Sequence, residues 1–291
     1  MNLCEAMLVR RSDRTYDGRP VPGKLLGECL GRFDASEGLT DARVRLLPME
    51  GKAVESAMTG IIGNYGRMKN APVWVIGLSD ESDYYKENFG FRMERFILEC
   101  TREGLGTCWI GGFFRISDLE RVVPKQPDEH IVCISPVGYA AGRRLAERSM
   151  RAIGGLNTRR SLTERVFAGR WGSGAAALIE ANRPLNEVLE CARWAPSASN
   201  RQPCHYILDE GRIVLTLLKS LHRTYPSIVT KGKNMGVNFQ PIDAGIAMLH
   251  VHLAAREKGM PGTWSLKFDE KGLRERYALP DDARIVAEFR Y

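Results

Sequence analysis

Three stretches carry residue types at spacings that could do chemistry. Near the start, Arg10-Arg11-Ser12-Asp13-Arg14 places three guanidiniums and a hydroxyl within five residues. A guanidinium is a planar fork of donors that matches phosphate oxygens, so the run is a candidate phosphate site; taken alone it also reads as a solvated charged surface. Further on, Gly104-Leu105-Gly106-Thr107-Cys108-Trp109-Ile110-Gly111-Gly112-Phe113 offers glycines where main chain can approach a planar ring with no Cβ between. The last stretch, Trp194 to Cys204 (WAPSASNRQPC), gathers Ser197, Ser199, Asn200 and Gln202 between Pro196 and Pro203. Compact donors and acceptors in such a loop suit a backbone laid against a ligand, or an ordinary polar turn. No catalytic triad or carboxylate pair is discernible. Cys108 has no base beside it in sequence, so buried packing is the better reading of that thiol. The histidines at 130, 205, 222, 250 and 252 show no metal spacing, and His250 and His252 point to different faces of one helix.

These stretches need elements to position them. A short helix over 5–9 runs into Arg10, and a second spans 24–33. Residues 53–69 read as a helix ending before Asn70-Ala71-Pro72 and a strand over 73–77. Over 89–102, Phe89, Met93, Phe96, Ile97 and Cys100 recur at three- and four-residue spacings, which predicts a helix with one buried face. The early glycines after it suit a helix C-terminus. A strand over 131–136 leads to Gly138-Tyr139-Ala140-Ala141-Gly142-Arg143-Arg144. A helix begun near Pro184 must stop at Ala195-Pro196, because proline cannot continue the ladder and biases its predecessor away from helical angles. Pro203 then leads into a strand over 205–208, and a helix covers 244–258.

The chain has 291 residues, 44% apolar and 26% charged, as for a soluble globular protein of one large or two ordinary domains. No apolar run is long enough to span a bilayer, and the opening residues lack a signal-peptide pattern, so neither a membrane partner nor export is expected. Seven scattered cysteines with no CxxC fit free thiols in a reducing cytoplasm. The net charge of +7 is local: from Arg143 to Arg170 eight arginines face only Glu147 and Glu164. That segment reads equally as a solvated connection or as phosphate clamps. It lacks the interleaved aromatics of a nucleic-acid platform, and no nucleic-acid partner is expected.

The motifs resemble those of the FMN-dependent nitroreductase family. Residues 10–16 are similar to its RRSxRxY opening, 104–113 to its GLGTCWIGGF segment, and 195–203 to its APSxxNxQP loop. The resemblance implies that Arg10 and Ser12, with Arg11 beside them, hold the FMN phosphate, and that Arg14 approaches the ribityl chain or flavin O2. It places Asn64 and Arg67 on the pyrimidine side, Ile110, Gly111 and Gly112 at the N5 edge, and Arg143 and Arg144 back at the phosphate. Pro196, Ser197, Ala198, Asn200 and Gln202 belong to a loop that, in the family, lies over the flavin bound mainly by the partner subunit. The implied activity is hydride transfer from NADH or NADPH through flavin N5 to a small acceptor such as a nitroaromatic, a quinone or a flavin. The alternative is a non-catalytic flavin binder for storage or sensing. The cofactor carries such chemistry, which suits a sequence without nucleophile or acid–base pair.

The chain also repeats itself. Thr158-Arg159-Arg160-Ser161 echoes 9–12, residues 256–264 echo 102–109, and 284–286 echo 130–132. A period this long suggests two diverged copies and not a solenoid. The expected architecture is therefore α+β, mainly antiparallel sheet flanked by helices. Its domains would be 1–155, carrying the RRSxR, WIGG and basic-tail parts, and 156–291, carrying the APSASNRQP loop, folded as a pseudo-dimer that is monomeric in solution. The copies have decayed in complementary ways. Asp34-Ala35-Ser36 stands where the second half has its loop, Trp264-Ser265-Leu266-Lys267 replaces the second WIGG, and no basic tail follows Tyr291, so one FMN per chain is expected.

Overall fold

The computed structural model describes residues 1–57, 68–112, 116–141, 158–221 and 238–291. Asn64, Arg67, Arg143 and Arg144 lie outside the described residues. The described chain gathers into two compact units, one of residues 1–141 with 238 and one of 158–221 and 239–291.

In the first unit α1 (Leu3–Val9) starts at a capping box, in which the Asn2 side chain accepts the Glu5 N–H and the Glu5 carboxylate accepts the Asn2 N–H. There follow α2 (Gly23–Asp34), β1 (Val44–Glu50), α3 (Gly51–Ala57), β2 (Val73–Ser79), α4 (Tyr85–Arg102), β3 (Gly106–Thr107), α5 (Ile116–Glu120) and β4 (His130–Gly138). The sheet runs β1-β2-β4-β3, antiparallel throughout. Alternation along β2 feeds two cores: Val75 packs with Phe33, Phe89 and Phe96, while Trp74, Ile76 and Leu78 pack with Tyr16, Val54 and Leu119. The spacing over 89–102 predicts one buried face, but α4 is buried on more than one side, with Phe91, Glu94, Leu98 and Glu99 also inside. The reason is tertiary: α1 and α2 pack on α4 as the sheet does. The helix expected to reach residue 69 is no longer helical at 68 and 69, where Lys69 instead bridges to Thr15.

The second unit contains α6 (Leu162–Arg165), β5 (Val166–Ala168), α7 (Ala176–Ala181), α8 (Arg183–Arg193), β6 (Cys204–Asp209), β7 (Arg212–Leu218), α9 (Gln240–Glu257), β8 (Thr263–Ser265), α10 (Glu270–Arg276) and β9 (Ala283–Arg290). Its sheet runs β5-β6-β7-β9-β8, antiparallel except for β5 beside β6. Without β5, strand order and chain order repeat those of the first unit, and each unit places an 18-residue helix between its second and third strands. Even the irregularity recurs, between Gly77 and Leu78 in β2 and between Leu215 and Thr216 in β7. Among the described residues no helix is long and apolar enough to cross a membrane. All seven cysteines are free and buried.

Candidate functional site

In the first unit the arginine-rich run is threaded into the sheet. Arg10 caps α1, its N–H donating to the Ala6 carbonyl. Ser12 then bridges Thr107 in parallel, and the Asp13 N–H donates to the Thr107 carbonyl at 2.8 Å. Two residues on, Arg14 and Tyr16 bond the main chain of Lys69, and Thr15 and Asp17 bond that of Ala141 and Tyr139. Tyr16 anchors the run from inside, its ring buried and its hydroxyl donating to the Asp13 carbonyl at 2.8 Å. Arginine run, glycine-rich turn and the end of β4 are thus one hydrogen-bonded assembly. Glycine is required here by close approach. A Cβ on Gly138 would stand 2.7 Å from Pro72 Cδ and 3.0 Å from Tyr16 Cδ1.

A residue not singled out from the sequence ties two of these motifs together. Glu94, on α4 and 0% exposed, accepts the Trp109 indole N–H at 2.7 Å, and its other oxygen lies 3.6 Å from Arg10 Nε. Arg10 itself is 6% exposed, yet its Nε and Nη1 have no hydrogen-bond partner among the described residues. Buried donors in this state are rare and mark a place where an acceptor belongs. Arg11 is exposed, while Ser12 and Arg14 are half-buried. Cys108 is buried, its N–H donating to Ser135 Oγ, in keeping with packing. The Ile110 N–H donates to the Ile134 carbonyl at 2.9 Å, so that donor is already used by the sheet; Gly111 and Gly112 follow it, half-buried.

In the second unit α8 ends at Arg193, and Pro196 begins a turn held largely by its own side chains. Ser197 Oγ accepts the Gln202 N–H at 2.8 Å, closing the loop, and Ser199, Asn200 and Gln202 all take left-handed φ of 51°, 55° and 53°. For residues with a side chain this conformation costs free energy and needs support. The two amides supply it. Asn200 Oδ1 accepts from Arg159 Nη1 at 2.6 Å and its Nδ2 donates to the Thr158 carbonyl at 3.0 Å. Gln202 is 5% exposed; its Oε1 accepts the Arg160 N–H at 2.9 Å, and its Nε2 reaches the carbonyls of Thr158 and Asn200. The loop therefore clips the second arginine pair, Arg159-Arg160, to its own unit, while Ala198 and Pro196 stay half-buried. Beneath the loop, Asp243 on α9 accepts the Ala198 N–H at 2.9 Å. Burial pushes its carboxyl up to about 8, the Ala198 N–H only partly opposing this. His205 is buried too, which pushes it down to about 4, with Arg165 and Arg160 acting in the same direction, so it is neutral at pH 7. Glu94 and Asp243 escape single-stretch reading because each acts on a segment far away in sequence. Laying the two long helices over each other would have flagged Asp243 opposite Asn88.

A family model described as putative TM nitroreductase matches residues 2–255. The "Putative NADH dehydrogenase/NAD(P)H nitroreductase" of Methanothermobacter thermautotrophicus is 29% identical over 160 residues, 48% of this chain and 78% of that protein. The crystal structure of a putative nitroreductase from Thermotoga maritima covers 99% of this chain and 93% of its own with TM-score 0.58 at 18% identity, which shows a shared fold. A nitroreductase with bound FMN from Bacteroides fragilis covers 50% of this chain and 92% of its own, with TM-score 0.41 at 18% identity.

Proposed function

This chain belongs to the putative TM nitroreductase family, and from that premise we propose that it is an FMN-dependent oxidoreductase acting on a small acceptor. The observation that carries the reading is the assembly in the first unit, where the arginine run and the glycine-rich turn share main-chain bonds while the buried Nη1 of Arg10 has no hydrogen-bond partner among the described residues. That donor set fits a phosphate monoester. Bound there, FMN would supply the redox chemistry, hydride uptake from NADH or NADPH and delivery of electrons to the acceptor.

The chain's own contribution is binding and orientation. Arg10 and Ser12, with Arg11 and Arg14 beside them, are proposed to hold the phosphate and ribityl side. Gly111 and Gly112 would lie along the ring edge, with Ile110 serving through its packing because its N–H is committed to the sheet. In the second unit, Pro196, Ser197 and Ala198 are the proposed ring-facing part of the loop. Asn200 and Gln202 act from behind, fixing its left-handed turn through Thr158, Arg159 and Arg160.

Anaerobic mixing of the FMN-loaded protein with NADH or NADPH tests the reading. Loss of the yellow flavin absorbance is expected with at least one nicotinamide. A flavin bound tightly but reduced by neither would make this a flavin-binding protein, and failure to bind FMN would refute both. The reduced protein can then be offered nitroaromatics, quinones and free flavin to identify the acceptor class.

A further inference from the structure

The two long helices carry polar residues at the same place: Asn88 is the fourth residue of α4 and Asp243 the fourth of α9. Each holds main chain that follows an earlier helix of its own unit. Asn88 Oδ1 accepts the N–H of Leu39 at 2.7 Å and of Thr40 at 3.4 Å, and its Nδ2 donates to the Ala42 carbonyl at 2.8 Å. Asp243 accepts the N–H of Ala198. Leu39 is the fifth residue past the end of α2 and Ala198 the fifth past the end of α8, so the contact is an internal repeat.

The chemistry of the two copies differs. In the first unit an amide does the work, as both acceptor and donor. In the second, the N–H it catches opens a run with three left-handed residues, and the catching group is a carboxyl buried in a dry place. Holding main chain does not call for an ionisable group, since Asn88 manages without one. A carboxyl can change charge where an amide cannot, and an N–H bond to a carboxylate is stronger than one to a neutral acid.

We propose that Asp243 is the positioning residue of the APSASNRQP loop, and that its protonation sets how firmly the Ala198 N–H, and the left-handed turn behind it, are held against FMN. Only the last clause rests on the functional reading above. The elements packed on α9 are β6, β7 and α8. Their groups are Cys204 and His205 on β6, with Arg165 donating to the Cys204 carbonyl, and on α8 Glu190 paired with Arg193, Cys191, whose carbonyl meets His250, and Glu187, which pairs with Lys258 towards the far end of α9. Arg212 on β7 lies at the strand's other end, bonded to Glu288. Burial pushes the Cys204 thiol up to about 12 and His205 down to about 4, which leaves Asp243, near 8, titrating between them.

Protein labelled with 15N-alanine provides a readout that needs no flavin, the Ala198 amide being identified by its loss in Ala198→Gly. In the wild type that resonance should move with a midpoint near pH 8, and in Asp243→Asn the movement should vanish. In the flavin arm, wild-type FMN affinity should rise about fivefold across the same titration as the charged bond forms, and the Asp243→Asn profile should be flat there. Asp243→Leu, which removes the acceptor, should weaken FMN about tenfold or more, and the asparagine variant decides the matter if the leucine variant does not fold. An Ala198 resonance indifferent to pH, or titrating identically in Asp243→Asn, overturns the proposal. So does a flavin affinity whose pH profile is the same in both proteins. If the wild type binds no FMN, the functional reading fails, and the amide titration still decides whether Asp243 holds the loop.

Discussion

Replacing Arg10 by alanine removes the guanidinium whose Nε lies 3.6 Å from the carboxylate of Glu94, with both side chains buried. Two losses follow, and they can be separated. Glu94 keeps its bond from Trp109 but loses this ion pair, and breaking a buried pair from one side costs about 3–5 kcal/mol of stability. That is a large share of the roughly 5–15 kcal/mol that holds a domain together. The contact to phosphate is lost as well, worth about 1.5–3 kcal/mol, or roughly 10- to 100-fold in FMN affinity. In Arg10→Ala with Glu94→Gln the buried charge is gone and the glutamine oxygen can still accept the indole N–H. Stability should therefore be largely regained while FMN affinity is not. Urea unfolding of the apoprotein measures the first quantity, and quenching of FMN fluorescence on titration measures the second. If the double variant recovers both, Arg10 acts only as the counter-ion of Glu94 and the phosphate assignment is wrong. That assignment also fails if Arg10→Ala weakens FMN by less than about threefold, since so small a loss lies below any charge-assisted contact.

Each chain should hold one FMN, because the second arginine pair is clipped by Asn200 and Gln202 and Leu266-Lys267 stand where the second turn would need glycines. Flavin absorbance against protein concentration after removal of excess checks this, and a ratio near two would refute it. Light scattering should find a monomer; a stable dimer would call for an interface not foreseen in the sequence. Gly138→Ala should lower stability by about 1–3 kcal/mol in urea, since its methyl would meet Pro72 and Tyr16. An unchanged midpoint would show that β4 can shift away. For Asp243 the folded carboxyl near 8 lies above its ordinary 3.8, so the folded state binds the proton more tightly. Its contribution is then fully present below about pH 4 and is lost as pH rises through about 8. The urea midpoint of Asp243→Asn should fall less than that of the wild type over this window, and parallel curves would count against a dry Asp243.

Local signals were enough for the long helices, for β2, β4 and β6 and for the placement of the motifs, but not for β1, β7, β8 and β9, which were not read from the sequence. Period and punctuation placed the helix before Gly104, whose φ of 78° ends α4, and Pro196 confined α8 to Arg183–Arg193. The repeat in the sequence found its counterpart in two sheets with one strand order, because side-chain alternation and turn residues are written within each stretch. What tertiary structure alone decided involves partners distant along the chain. No periodicity announces that Glu94 reaches Arg10 and Trp109, that α4 is covered by α1 and α2 as well as by the sheet, or that β5 adds a parallel edge to β6. The polar loop shows the division most clearly. Its composition called for compact donors and acceptors, but whether Asn200 and Gln202 face a ligand or their own main chain depends on which carbonyls and N–H groups lie within about 3 Å of them. The folded chain brings up Thr158, Arg159 and Arg160 from some forty residues earlier, and it sets Asp243 beneath Ala198. An amide satisfied by such neighbours cannot be told from one awaiting a ligand by sequence, because the same side chain serves either partner and only the distance chooses.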